Sequence, residues 1–283
     1  MATVGVISPG AMGSAIGRSL AAGGHRVLVA VEGRSDRTRA LAAGAGLEPV
    51  AGVDEVAAGA EVVLSVVPPG SARDVLAGVV ASGARPLFAD LNAVSPDTVR
   101  ELERTAGAAG IDLVDGSISG PPPRADGSTR LYLSGQRAWE VAALEPQGMR
   151  PVVLGDRAGA ASGLKMCTAS VYKGTALLLT HACRTALDEG VLDEALADLR
   201  LSAPCLVEDP ERWIATAASK AERYVAEMRE IAATQAAAGL PADLFEAVAA
   251  CYSSISETPL AAATPEQADA ADDLVAVLEG LRR

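Results

Sequence analysis

The chain has 283 residues, room for two ordinary domains, with 49% hydrophobic but only 3% aromatic residues, so its core must be built from Ala, Val and Leu rather than large rings. Its formal net charge of −12 excludes a broad basic face for nucleic acid or an acidic membrane, because phosphate recognition needs clustered Lys and Arg. A small-molecule partner is expected, and with no basic leader at MATVGVIS and no window of ~18 to 20 uninterrupted apolar residues, so is a soluble cytoplasmic protein.

The first predicted strand, TVGVI, runs into SPGAMG and the helical stretch AMGSAIGRSLAAGG. In a G-x-G-x-x-G loop the first glycine permits the tight turn. The second lets backbone approach a pyrophosphate, and the third lets helix and strand pack closely. Gly10 and Gly13 occupy the second and third places and Ser8 the first. Ser8, Pro9, Gly10, Ala11, Met12 and Gly13 therefore read either as a dinucleotide loop with one altered letter or as a plain glycine-rich turn. A helix starting near Ala11 would aim its free N–H groups and positive dipole end at phosphates.

The second strand, RVLVAV, ends in EGRSDRTR, with Glu32 nineteen residues beyond Gly13. An acid there would accept from a ribose 2′-hydroxyl and favour NAD. Gly33, Arg34 and Ser35, backed by Arg37 and Arg39, would form an anion pocket for a 2′-phosphate and favour NADP. The arginines tip the reading to NADP, with NAD as the alternative.

Next come VVLSVV, which ends at Val67 and is followed by Pro68, PLFAD leading to Asn92, the helical SPDTVRELERTAGAAG, and IDLVDG leading to SISGPPPRADGS. Short β-branched runs alternating with Ala-rich helical segments signal βαβ units and a sheet buried on both faces. The expectation is an α/β N-terminal domain, residues 1–157, with a Rossmann-type doubly wound parallel sheet. TRLYLSG and PVVLG are its last predicted strands, with a short helix after Gly135.

From Ala158 strand signals nearly vanish, and AGAASGLKMCTASVYKGTALLLTHACRTALDEG is compatible with a helix longer than the globular norm. Later helices break near Pro204, Pro210, Pro241 and Pro259, where the ring removes a backbone donor. Residues 158–283 are thus expected to form a C-terminal all-helical domain. Cys167, Cys183, Cys205 and Cys251 form no CxxC pair, and His25 and His181 stand alone, so reduced thiols and no metal site are expected. Trp213, Tyr224, Glu227 and Met228 fall on helix-face spacings, which makes core packing their first reading.

Taken in order, these motifs resemble the β-hydroxyacid dehydrogenase superfamily, which includes 3-hydroxyisobutyrate and 6-phosphogluconate dehydrogenases and the related imine reductases. GVISPGAMG looks like its glycine loop, VVLSVVPP like its fourth strand and cofactor-facing loop, and DLNAVSP like the loop that sets Asn92 beside the nicotinamide. DGSISGPPPRADGSTRLYLSG resembles the substrate motif with its Ser-Gly pair, and GAASGLKMC the helix carrying the catalytic lysine. The SGPPP loop, the KMC helix and VAEMREIAA are similar to a bacterial subgroup with a 6-phosphogluconate dehydrogenase C-terminal-like domain.

The resemblance covers roughly the whole chain. It implies an NADP-dependent dehydrogenase or reductase acting on a small hydroxy acid or its oxo form, with Lys165 carrying the proton. Ser119 and the Gly120 N–H would bind a substrate oxygen or carboxylate, and Glu227 would be a pocket residue. Partial burial between two domains would bring the lysine down from ~10.4 toward neutrality. Two departures stand out. Ser8 replaces the first loop glycine, a change the resemblance implies is tolerated. Thr168 and Ala169 stand where the family places an asparagine one turn after its lysine, so Tyr172 or Lys173 would have to help hold the substrate. Imine reduction and a non-catalytic NADP(H)-binding protein are the alternatives, and a homodimer sharing C-terminal helices is the expected assembly.

Overall fold

A computed structural model describes residues 1–124 and 127–282; Ala125 and Asp126, within the Pro-rich loop expected from the sequence, lie outside the described residues. The chain divides into two compact units, Met1–Met166 and a second from Cys167 onward.

In the first unit, strands β1 (Thr3–Ile7), β2 (Arg26–Ala30), β3 (Glu48–Val50), β4 (Val62–Ser65), β5 (Leu87–Asp90), β6 (Leu113–Ser119), β7 (Thr129–Ser134) and β8 (Met149–Val153) form one sheet. Their order is β3-β2-β1-β4-β5-β6-β7-β8. The strand order reverses between β1 and β4, and an open α/β sheet takes its ligand at such a switch point, outside the carboxyl ends of the strands. All pairings are parallel except β6 with β7. The connection from Gly120 to Ser128 is too short for a crossover, which takes a dozen or more residues, so β7 returns beside β6 as a hairpin.

Helices α1 (Ala11–Ala22), α2 (Asp36–Gly44), α3 (Val53–Gly59), α4 (Ala72–Ala81), α5 (Pro96–Ala108) and α6 (Ala138–Ala142) cover the sheet. The two-residue period of the strands divides the core. Val4, Val6, Val27, Val29 and Leu64 pack with Ile16 and Leu20 of α1 and Val141 of α6. Ile7, Val63, Phe88 and Leu113 turn the other way and pack with Val56, Leu76, Val79, Val99 and Leu102 of α3 to α5. Each such side chain contributes roughly 1.5–3 kcal/mol by leaving water, which explains how a chain so poor in rings holds a large sheet.

Helix α7 (Ala160–Asp188) is 29 residues long; its opening turns belong to the first unit and the rest to the second. The second unit continues with α8 (Leu192–Ser202), α9 (Pro210–Ala218), α10 (Ala221–Ala237), α11 (Asp243–Ser256), α12 (Pro265–Asp269) and α13 (Leu274–Glu279). It contains no strand among the described residues. Pro210 and Pro265 open their helices, where a missing N–H is no loss. Leu179, Cys183, Leu196, Ile214 and Leu278 form a core of this unit. Among the described residues, no helix is long and apolar enough to cross a membrane.

Candidate functional site

At the end of β1, Ser8 adopts φ 71, the left-handed conformation that explains why such loops favour glycine there and that costs a side-chain-bearing residue roughly 1–2 kcal/mol. The Gly10 N–H donates to the Ser8 carbonyl at 2.8 Å, and the Ser14 hydroxyl to the Pro9 carbonyl at 2.5 Å, so the turn is fixed from both sides. The two glycines have different reasons. A Cβ at Gly13 would run into the Ser8 carbonyl, whereas one at Gly10 would meet nothing within 4 Å. Protein packing therefore requires glycine at 13 but not at 10. What Gly10 leaves clear is the start of α1, which has no side-chain cap and no acid in its first turn, and whose N–H groups and dipole favour an anion. Ala11 is exposed and Met12 half-buried on that turn. These residues fit a dinucleotide's pyrophosphate.

Beyond β2, Gly33 takes φ 68 and turns the chain into α2, where Ser35 is the N-cap and accepts from the Thr38 N–H at 3.3 Å. Arg39 bonds the Arg34 carbonyl and pairs with Asp36 at 2.6 Å, so its charge is engaged inside the loop. Arg34 is half-buried, and among the described residues its guanidinium has no hydrogen-bond or ion-pair partner. Glu32 is exposed.

Asn92 is only 3% exposed. Its Oδ1 accepts from the Val67 N–H at 2.6 Å, while its Nδ2 donates to Ser65 Oγ at 2.9 Å and to Asp90 Oδ2 at 2.8 Å. The side chain thus ties the end of β5 to the loop of Val67 and Pro68 after β4.

Asp115, Ser117 and Ser119 alternate along β6, and residues two apart share one face of a strand. That face grips the start of α7. The Asp115 carboxylate accepts from the N–H groups of Gly159, Ala161 and Ser162 at 2.9, 3.0 and 3.1 Å. Ser117 Oγ donates to the Ala161 carbonyl at 3.0 Å, and Lys165 Nζ donates to the Ile118 carbonyl at 2.8 Å. Lys165 is thereby bonded, within the first unit, to the residue that precedes the Ser119–Gly120 pair. Asp115 was missed by sequence reasoning; the available signal was an acid in the apolar run IDLVDG, two and four residues before the serines.

Tyr172 and Glu227 belong to the second unit. Tyr172 is 50% exposed, packs against Trp213 with ring centroids 5.6 Å apart, and has its hydroxyl pKa pushed up by burial. Glu227 is buried and forms an ion pair with the equally buried Lys173, while Arg223 Nε approaches its other oxygen at 3.1 Å. Lys173 Nζ also lies 4.2 Å from the ring centroid of Tyr224, whose pKa burial raises to about 12. Tyr252 meets Tyr224 edge-on at 5.2 Å and donates to the Lys173 carbonyl at 2.7 Å. The Glu227 carboxylate is thus held by two cations of its own unit.

Residues 3–146 match the NAD binding domain of 6-phosphogluconate dehydrogenase, and residues 186–255 match a domain of unknown function, DUF1932. An uncharacterized 28.5 kDa protein of Methanothermus fervidus is 29% identical over 60% of this chain and 65% of its own length. A 3-hydroxyisobutyrate dehydrogenase of Pseudomonas aeruginosa is 29% identical over 69% of each chain; the matched stretches thus span about two thirds of these relatives. Among solved structures, a 3-hydroxyisobutyrate dehydrogenase of Mycobacterium tuberculosis superimposes over 100% of both chains with TM-score 0.70 at 22% identity. An imine reductase of Myxococcus stipitatus in complex with NADP+ covers 99% of this chain and 100% of its own with TM-score 0.60, also at 22% identity.

Proposed function

The chain belongs to the β-hydroxyacid dehydrogenase superfamily, and from that premise we propose that it is an NADP-dependent oxidoreductase interconverting a small hydroxy acid and its oxo form. The observation that carries this reading is the bond from Lys165 Nζ to the carbonyl of Ile118, the residue before the Ser119–Gly120 pair. When bound, the nicotinamide supplies the hydride in reduction and takes it up in oxidation. The Ser119 hydroxyl and the Gly120 N–H bind the substrate's carboxylate or carbonyl oxygen. Lys165 gives a proton to the carbonyl oxygen in reduction and takes one from the hydroxyl in oxidation, a role of the kind that contributes 10²–10⁴-fold.

The start of α1, kept clear by Gly10, holds the pyrophosphate. Arg34, helped by Gly33 and Ser35, takes the 2′-phosphate, and its half-buried, uncommitted guanidinium supports NADP over NAD. Asn92 acts by holding the Val67–Pro68 loop that borders the cofactor. Tyr172 packs against Trp213 within its own unit, which supports a packing role for it. The Lys173 and Arg223 pairs support a structural role for Glu227. A homodimer is supported by apolar side chains left exposed along α7, with Val171 at 69% and Leu178 at 71%.

Imine reduction is the second reading, favoured by the likeness to imine reductases; the lysine beside a Ser-Gly pair favours a carbonyl substrate. Lys165→Met should lower kcat at least ~100-fold while NADPH binding, followed by fluorescence titration, stays within twofold. Turnover close to wild type in that variant would remove Lys165 from the mechanism.

A further inference from the structure

A carboxylate at 0% exposure persists in a fold only when its lone pairs are filled, and those of Asp115 are. Oδ2 accepts from the Gly159, Ala161 and Ser162 N–H groups and from the Ser134 hydroxyl at 2.8 Å, and Oδ1 accepts from the Ser162 hydroxyl at 2.6 Å. Three of these donors are backbone N–H groups at the start of α7, where a helix has no partners of its own to offer. Their cap is usually a neighbouring side chain; here it comes from a strand 44 to 47 residues earlier.

A cap supplied by the sheet fixes more than stability. With Asp115 on these N–H groups and Ser117 on the Ala161 carbonyl, the opening turn of α7 is pinned to β6 in height and in rotation. Lys165 lies three residues beyond Ser162, close to the same helix face, and a slip of one residue would swing it by about 100°. The strand that carries the cap ends in Ser119. One strand thus sets the register of both the ammonium and the pair that would face the same substrate.

We propose that Asp115 is a positioning residue for Lys165, holding the start of α7 so that the lysine stays in reach of a substrate bound at Ser119. This rests on the reading of Lys165 as the proton carrier. The test uses the full chain with NADPH. Misplacing a reacting group by an ångström can cost on the order of 100-fold, so Asp115→Asn is expected to lower kcat per folded molecule by roughly 10- to 100-fold. NADPH affinity should stay within about twofold. In a Lys165→Met background the same change should add no further loss, because a residue acting through another is non-additive with it.

A readout independent of activity is the acylation rate of Lys165 by a water-soluble N-hydroxysuccinimide ester, measured by peptide mass spectrometry with Lys220 as internal reference. Asp115→Asn should change that ratio several-fold. Wild-type kcat with an unchanged labelling ratio would overturn the proposal, since a cap that only stabilises the fold moves neither. If Asp115→Asn does not fold, Ser117→Ala removes the second contact of the same grip; it should shift kcat and labelling in the same direction, and no shift in either overturns the proposal. If Lys165→Met keeps its turnover, the functional reading fails by itself, and the labelling ratio alone then decides for or against Asp115.

Discussion

Two helix starts in the first unit meet the same physical problem in opposite ways. Both α1 and α7 begin with unpaired N–H groups and a positive dipole end. At α7 the protein fills them with its own anion, the buried Asp115 carboxylate. At α1 it supplies no side-chain cap and no first-turn acid, and a Cβ at Gly10 would meet nothing. A filled start fixes a helix and what it carries, and an open one is available to a ligand's phosphate. On the proposed function, the same dipole serves position at one end of the site and binding at the other.

The contrast breaks first at the two glycines. Gly13→Ala pushes a methyl into the Ser8 carbonyl and should cost about 3 kcal/mol or more in urea unfolding, an overpacking effect at the upper end of the usual range. Gly10→Val should leave stability nearly untouched yet weaken NADPH binding by roughly 100-fold, about 3 kcal/mol, in calorimetric titration. Equal NADPH affinity in Gly10→Val would mean that the open start of α1 is not a phosphate cradle.

A buried carboxylate in the other unit sharpens the contrast. Glu227, paired with Lys173 and Arg223, is filled in the manner of Asp115. Glu227→Ala would take the carboxylate away from the buried Lys173 ammonium and should cost about 3–5 kcal/mol, visible as a lower urea midpoint. An unchanged midpoint would show that the pair is not buried in solution.

A smaller effect is expected at the open end. Arg34→Ala should weaken NADPH binding about tenfold, in line with loss of a charge-assisted contact, and leave NADH unchanged. An equal loss for both cofactors would rule out a 2′-phosphate contact. The smallest is Ser8→Gly, which relieves a φ of 71 and should add about 0.5–1 kcal/mol of stability without altering NADPH affinity; a loss of stability would show that Ser8 makes a compensating contact.

Local features of the sequence were the most legible. The β1 turn and the order of the βαβ units rest on residue periods and glycine spacing. The length of α7 follows from an uninterrupted helical pattern. Edge strand β3 was not anticipated, because three residues with two exposed carry no alternation, and the antiparallel turn of β7 follows from a loop length rather than from the strand's own residues. Within the site, Ser119 and Lys165 can be singled out by motif, but the bond that ties Lys165 to the Ile118 carbonyl, next to Ser119, spans 47 residues. The resemblance implies that Asn92 faces the nicotinamide or substrate; the bonds of its amide to Ser65, Val67 and Asp90 are contacts that the motif alone does not give. Asp115 is legible only as an acid in an apolar run; that its donors come from β7 and the start of α7 is a pairing that neither spacing nor composition encodes.

The most direct measurement is NADPH oxidation by the purified protein against a panel of small oxo acids, semialdehydes and cyclic imines, with NADH alongside. Turnover of at least one oxo acid or semialdehyde is expected, faster with NADPH than with NADH and lost in Lys165→Met. Turnover of imines alone, or tight NADPH binding with no oxidation across the panel, would contradict it.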